Sequence, residues 1–199
     1  MKTVSQIHNY WKNPDDKNRP EDYLIGEERT AFLLDNVLNL EIPIDAQIIE
    51  IGCNVGRNLN GFFNAGFKNL TGIEINRKAI DVMSREYSVM YRKIKNNIHN
   101  KPVEQAIYML EKDKYDVVYT MAVLEHIHEE NGYFVFSEMF RIAKKYIVVI
   151  EDERKESDRH FRRNYKDVFE FYGLKEIKSQ NCKGVKGLGK SYNLRIFEK

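Results

Sequence analysis

The 199-residue chain balances 32 Lys and Arg against 30 Asp and Glu, a net charge of +2, and is 42% hydrophobic and 31% charged. This is the profile of an ordinary globular chain, long enough for one α/β domain with small additions. No run approaches the roughly 18 apolar residues of a membrane span, and two cysteines, Cys53 and Cys182, supply neither a disulfide framework nor a C-x-x-C metal spacing.

The N-terminal nine residues, Met1 to Asn9, lack the apolar core of a signal peptide. With two reduced thiols, the cytoplasm is the expected compartment. His8 to Pro14 and Arg19 to Tyr23 then gather the only Trp, two Tyr and two Pro ahead of the first long periodic segment. Glu28 to Leu40 has a helical period, ended before Pro43. A short buried strand, a turn and a helix over Asn58 to Ala65 follow. Leu70 to Ile75 reads as the second strand and Lys78 to Tyr87 as the next helix. The third strand is expected at Val89 to Lys95, where alternation is poor and lysines are many. Val103 to Leu110 reads as a helix, Tyr115 to Thr120 as the fourth strand, Tyr133 to Ala143 as a helix and Tyr146 to Ile150 as the fifth strand. Asn164 to Tyr172 is a last helix. Leu174 to Gln180 and Ser191 to Phe197 suggest an antiparallel pair closing the sheet. Right-handed crossovers between alternating strands and helices imply a mostly parallel sheet with helices on both faces.

The most informative stretch is Ile48-Ile49-Glu50-Ile51-Gly52-Cys53-Asn54-Val55-Gly56-Arg57. An apolar strand runs into glycines that let backbone N–H groups approach a ligand closely. Glu74 lies 22 positions after Gly52 (74 − 52). In a strand-helix-strand unit, that distance sets a carboxylate at the tip of the adjacent strand, where it can accept from two ribose hydroxyls. A dinucleotide fingerprint needs glycine at positions held here by Asn54 and Arg57, so NAD is disfavoured.

What remains, Glu-x-Gly-x-Asn-x-Gly, resembles motif I of the class I S-adenosylmethionine-dependent methyltransferases, usually [Asp/Glu]-x-Gly-x-Gly-x-Gly. The departure at Asn54 is mild, because Asn tolerates positive φ. Tyr115 to Ile127, with its Asp-Val-Val and Leu-Glu-His-Ile pieces, resembles the fourth-strand segment of that family. Arg141 to Glu151 resembles its passage into the fifth strand. The resemblance covers about residues 46 to 151.

It implies an α/β fold: a seven-stranded, mostly parallel, doubly wound sheet in the order 3-2-1-4-5-7-6, last strand antiparallel, within a Rossmann-like domain at 41–199. Residues 1–40 are then a helical and aromatic segment covering the pocket, within one domain overall. S-adenosylmethionine is the implied cofactor. Gly52, Cys53, Asn54 and Gly56 would wrap its methionine and ribose, with Glu50 below them and Glu74 on the ribose. Adenine would lie between Ile75 and the loop after the third strand, where Asn97 and Ile98 take the place of an acidic residue. Met121 and Ala122 would pack near the sulfonium. His126, Glu151 and His160 are the candidate bases; a structural role for His126 is equally open.

The acceptor is left open between a small molecule or glycan and a macromolecule such as RNA or protein, and a binding module without turnover is a third reading. The Asp/Asn-Pro-Pro-Tyr motif of amino-methylating enzymes is absent, and the fourth strand ends in Thr120-Met121 without the carboxylates of catechol-type enzymes, so no metal is expected. From Arg154 to Lys199 thirteen Lys and Arg face six Asp and Glu, densest at Arg159, Arg162, Arg163 and Lys166. This is either a solvated face or a site for an anionic acceptor. The turn and the run Arg162-Arg163-Asn164-Tyr165 onward also look like methylases of bacterial surface-sugar biosynthesis.

Overall fold

The computed structural model describes residues 2–15 and 17–199; Met1 and Asp16 of the 1–40 segment lie outside it. Seven strands form one sheet: β1 (Ile48–Ile51), β2 (Leu70–Ile73), β3 (Ile98–His99), β4 (Tyr115–Met121), β5 (Ala143–Asp152), β6 (Lys175–Asn181) and β7 (Tyr192–Glu198). Their order is β3-β2-β1-β4-β5-β7-β6. The pairings are parallel except those of β7, which runs antiparallel to both β5 and β6. The winding reverses between β1 and β4. At that switch point two crossovers leave in opposite directions and a crevice opens above the strand ends.

Among the described residues, eight α-helices complete the fold: α1 (Val4–Lys12), α2 (Glu27–Leu38), α3 (Arg57–Asn64), α4 (Arg77–Glu86), α5 (Ser88–Ile94), α6 (Val103–Ile107), α7 (Glu129–Ile142) and α8 (Tyr165–Phe171). Apolar residues on consecutive strand positions give the sheet two greasy faces, because successive side chains point to opposite sides. Ile49, Val118, Ile147 and Val149 meet α6, α7 and α8 through Ile107, Val135, Met139 and Phe169. Ile48, Val117, Val148 and Ile150 meet α2, α3 and α5 through Leu33, Leu59, Phe62 and Met90. At roughly 25 cal/mol per Å² of apolar surface buried, these two layers supply the main favourable term of folding.

The third strand departs from the sequence expectation. Residues 89–95 belong mostly to α5, where buried Met90 and Ile94 are four apart and Val89 is exposed, a helical rather than alternating pattern. The strand is only Ile98–His99, paired with Gly72 and Ile73. Two residues are too few for any period to be read. Elsewhere the expected elements occur with ends moved by a few residues; β5 extends to Asp152.

Gly72 sits in β2 where a Cβ would meet Cys53 Sγ at 2.7 Å and Ile98 Cδ1 at 3.0 Å. Gly72→Ala should therefore overpack the joint between β2, β3 and the turn after β1, lowering stability by about 1–3 kcal/mol. Urea denaturation checks this, and an unchanged midpoint would contradict the packing described.

Candidate active site

The chain leaves β1 through three left-handed residues, Gly52 (φ 73°), Asn54 (φ 46°) and Gly56 (φ 75°). At Gly52 a Cβ would lie 2.4 Å from Val123 Cγ2, so only glycine fits. The Gly52 and Cys53 N–H groups donate to the Ile73 carbonyl (both 2.9 Å), tying the turn to β2. Asn54 adopts the positive φ that its residue type tolerates. Its N–H donates to Glu74 Oε2 (2.8 Å), and Asn76 N donates to Glu74 Oε1 (2.7 Å). Glu74 is thus buried at the tip of β2, against the turn. Burial pushes its pKa up to about 7, against the pull of those N–H groups.

Below the turn, Glu50 projects from β1 toward α3. It accepts from Asn58 Nδ2 (2.8 Å) and Tyr119 OH (3.0 Å) and joins the first turn of α3 to β4. Burial raises its pKa to about 8. Asn58 Oδ1 in turn accepts from Thr30 Oγ1 (2.8 Å), which extends the chain of bonds to α2.

Above the strand ends lies a pocket of ≈ 430 Å³, within the range of small-molecule sites. Of the sequence-predicted cofactor residues, Glu50, Gly52, Cys53, Asn54, Glu74, Ile75, Met121 and Ala122 line it. Gly56 does not, and acts as the left-handed N-cap of α3. Asn97 and Ile98 are also away from the pocket: Asn97 Nδ2 donates to the Leu70 carbonyl, and Ile98 packs into the core. The displaced third strand is the cause, since its loop begins at Asn100 rather than at residue 96. Asn100 Nδ2 donates to the Glu74 and Ile75 carbonyls, and Lys101, Pro102 and Val103 form the wall.

The other end of the pocket is built by the segment after β4, the residues after β5 and α1. Ala122 takes a left-handed φ of 57° at the tip of β4, an uncommon conformation for a residue with a Cβ, held here by its N–H bond to the Ile150 carbonyl (2.9 Å). His126 Nδ1 lies 2.8 Å from the Arg159 carbonyl, which can only accept, so Nδ1 carries the proton and Nε2 the lone pair. Burial lowers the His126 pKa to about 3, and burial with the charges of Lys155 and Arg159 lowers that of His160 to about 4. Both rings are neutral imidazoles near neutrality and weak bases. They stand 4.5 Å apart, and the Trp11 ring lies 4.6 Å from His126. Val4, Ile7, His8 and Trp11 of α1 line the pocket with them, and His8 Nε2 meets Glu104 Oε1 at 2.8 Å.

Glu151, the third candidate base, is not brought to the pocket. It is fully buried, outside the pocket lining, and accepts from Thr120 Oγ1, Val123 N (2.9 Å) and Glu125 N (3.3 Å). It anchors the segment after β4. Glu125 is the residue that inspection of the sequence passed over. Buried at 2% exposure, it accepts from Asp152 N (2.7 Å) and Tyr192 OH (2.9 Å) and borders the pocket beside both histidines. Its place in the Leu-Glu-His triplet was the available signal. The basic C-terminal stretch also divides. Arg159 reaches the pocket, with its guanidinium 3.6 Å over the Tyr10 ring, whereas Arg163 donates to the Leu124 and Ile127 carbonyls. Arg162 is exposed, and Lys166 pairs with Glu176.

The sequence matches the family described as "Methyltransferase domain" over residues 25–181. The chain belongs to this methyltransferase family and is an enzyme. No curated protein matches the sequence. Among solved structures, the fold is similar to magnesium protoporphyrin IX methyltransferase from Synechocystis PCC 6803 with bound SAM (TM-score 0.71, 16% identity, covering 100% of this chain and 96% of that one). It is also similar to geranyl diphosphate C-methyltransferase from Streptomyces coelicolor A3(2) (0.69, 14%, 98% and 96%) and to a SAM-dependent methyltransferase from Archaeoglobus fulgidus (0.63, 17%, 89% and 99%). At these identities the likeness concerns the fold. No helix among the described residues is long and apolar enough to cross a membrane.

Glu151→Ala should leave two buried N–H groups and a hydroxyl unpaired, costing about 1–3 kcal/mol. Chemical denaturation measures this directly. A variant as stable as the native protein would restore Glu151 to the list of candidate bases.

Proposed function

We propose that the protein transfers a methyl group from S-adenosylmethionine to an oxygen or nitrogen of a small molecule or glycan. The observation that supports the acceptor class is the lining of the half-open pocket, whose far end includes Val4, Ile7, His8 and Trp11 of α1, a setting that suits a small acceptor better than a continuous basic groove would. A macromolecular acceptor would call for the groove. In this reading residues 1–40 act as the pocket cover of a single-domain enzyme whose methyltransferase domain is 41–199.

The residues present fit the donor. Glu74 offers carboxylate lone pairs for ribose hydroxyls, Gly52 and Cys53 offer a close backbone approach, and Pro102 with Ile75 offers apolar walls for adenine. Asn54 Oδ1 and Arg29 Nε, on pocket-lining residues, are buried polar atoms without a hydrogen-bond partner among the described residues, as expected where a polar ligand binds. Bound there, S-adenosylmethionine would supply a methyl group already activated on sulfonium sulfur. The protein's share is then to align an acceptor atom and exclude water. Trp11 provides a face for a ring or sugar. Lys155 and Arg159 bring positive charge to the acceptor end, which suits an anionic acceptor. His126 and His160 are positioned to receive an acceptor proton. The surface-sugar subtype is supported by the sequence of the turn and of the Arg162 run, and a cytoplasmic setting by two buried free thiols.

Calorimetry with S-adenosylmethionine and with NAD tests the reading. Binding of the first and none of the second is expected, and the reverse would overturn it. Glu74→Ala should weaken donor binding by about 1–3 kcal/mol if this carboxylate holds the ribose.

The pH dependence adds a sign. Because the pKa of Glu74 is raised, the folded protein holds a proton that an exposed carboxyl would lose, and the carboxylate dominates only above about 7. Hydroxyl donors prefer the carboxylate, so donor affinity should increase as pH rises through about 7. Glu74→Gln should flatten that increase. An equal slope in native and variant proteins would show that another group titrates.

A further inference from the structure

Three ligand-type atoms converge at the acceptor end of the pocket. Glu125 Oε1 lies 3.6 Å from His126 Nε2 and 3.8 Å from His160 Nε2, and one ligating atom from each residue lies within 4.8 Å of the other two. These separations are too long for N–H···O hydrogen bonds. His126 cannot donate from Nε2 in any case, because its proton is on Nδ1, held by the Arg159 carbonyl. His160 is fixed from the far side of its ring by Ser157 Oγ, 2.7 Å from Nδ1. Glu125 is fixed by Asp152 N and Tyr192 OH. His126 and His160 are therefore each oriented through Nδ1 by a partner outside the cluster, with Nε2 toward the others, while Glu125 is held through Oε2 by Asp152 N and its Oε1 faces both rings while also accepting from Tyr192 OH. Outer partners of this kind are how proteins aim metal ligands.

We infer that Glu125, His126 and His160 form a binding site for a divalent first-row transition-metal ion, with its open positions facing the acceptor. Two imidazole nitrogens and one carboxylate oxygen are a donor set suited to zinc, iron or manganese. A single ion with bonds of about 2.0–2.2 Å needs its ligand atoms roughly 3.0–3.5 Å apart, so the two Glu125–histidine separations must shrink by about 0.1–0.8 Å and the one between the histidines by at most about 1.8 Å. His160, on the loop between β5 and α8 and held there with its neighbour Ser157, can supply that movement. Lys155 and Arg159 border the same space and oppose a cation there. Arg159 spreads its charge over the Tyr10 ring, and the Glu125 carboxylate offsets Lys155. The site rests on protein ligands alone. Its use rests on the methyl-transfer reading: an acceptor hydroxyl on the ion would lose its proton to water at a lower pH than when free, and its oxygen would keep the electron pair for the new bond. The ion would thus do what two weakly basic imidazoles do poorly.

The test uses the full chain after chelator treatment, titrated with Co²⁺ by visible absorption and with Zn²⁺ by calorimetry. One ion per chain is expected, with Co²⁺ showing the d–d bands of nitrogen-containing coordination. His160→Ala, chosen because this side chain is on the loop between β5 and α8, should weaken Zn²⁺ binding by at least tenfold and remove those bands. His99→Ala, away from the pocket, should change neither. Absence of the Co²⁺ bands, or Zn²⁺ binding equal in native and His160→Ala proteins, would overturn the inference. S-adenosylmethionine binding measured on the same preparations reports separately on the donor site. A metal-binding protein that does not take the donor would count against the proposed function and leave the metal site standing.

Discussion

The site depends on one close contact between two loops, Val123 seated in the space that a side chain on Gly52 would occupy. Gly52 follows β1 and Val123 follows β4, so the contact bridges the point where the sheet reverses its winding. A crevice there is a product of topology, but its shape is not. It requires that the first loop lie flat, with left-handed residues at Gly52 and Asn54, and that the second loop be held against it. Glu151 does the holding through the Val123 and Glu125 backbone N–H groups.

Buried carboxylates recur throughout this arrangement. Glu50 fastens the start of α3 to β4, Glu74 ties the turn to β2, Glu151 supports the segment after β4, and Glu125 joins that segment to β5 and β7. Each sits at or near a strand's carboxyl end, where backbone N–H groups of a departing loop need acceptors. Desolvation raises the pKa of all four, most simply for Glu50 and Glu74. Glu50 and Glu74, which shape the pocket, therefore hold ionisable groups close to their midpoint near neutrality, a cost usual where structure and chemistry share atoms.

The sequence made the half of the pocket proposed for the donor more readable than the half proposed for the acceptor. A strand buried on both faces leaves a continuous apolar run, and left-handed turns leave glycines, so β1, its turn and the position of Glu74 were visible in the residues. β3 was not, because two residues paired at an edge leave no pattern, and its error carried Asn97 and Ile98 into the wrong place. Glu151 illustrates a different limit. A carboxylate at a strand end is equally suited to chemistry or to binding loop N–H groups, and only coordinates distinguish the two. Glu125 and Trp11 belong to the pocket through contacts far apart in sequence, Trp11 with His126 and Glu125 with Tyr192.

α1 spans Val4–Lys12, ahead of the stretch shared with the methyltransferase family, which begins at residue 25. It touches the end of the pocket proposed for the acceptor through Trp11 on His126, Tyr10 under Arg159 and His8 on Glu104. Donor-side residues are embedded in strands and turns whose packing tolerates little change. Acceptor-side contacts come partly from a nine-residue helix docked by side chains. Substrate range can then diverge by rewriting a short peripheral element, while the machinery shared by the family is left as it is.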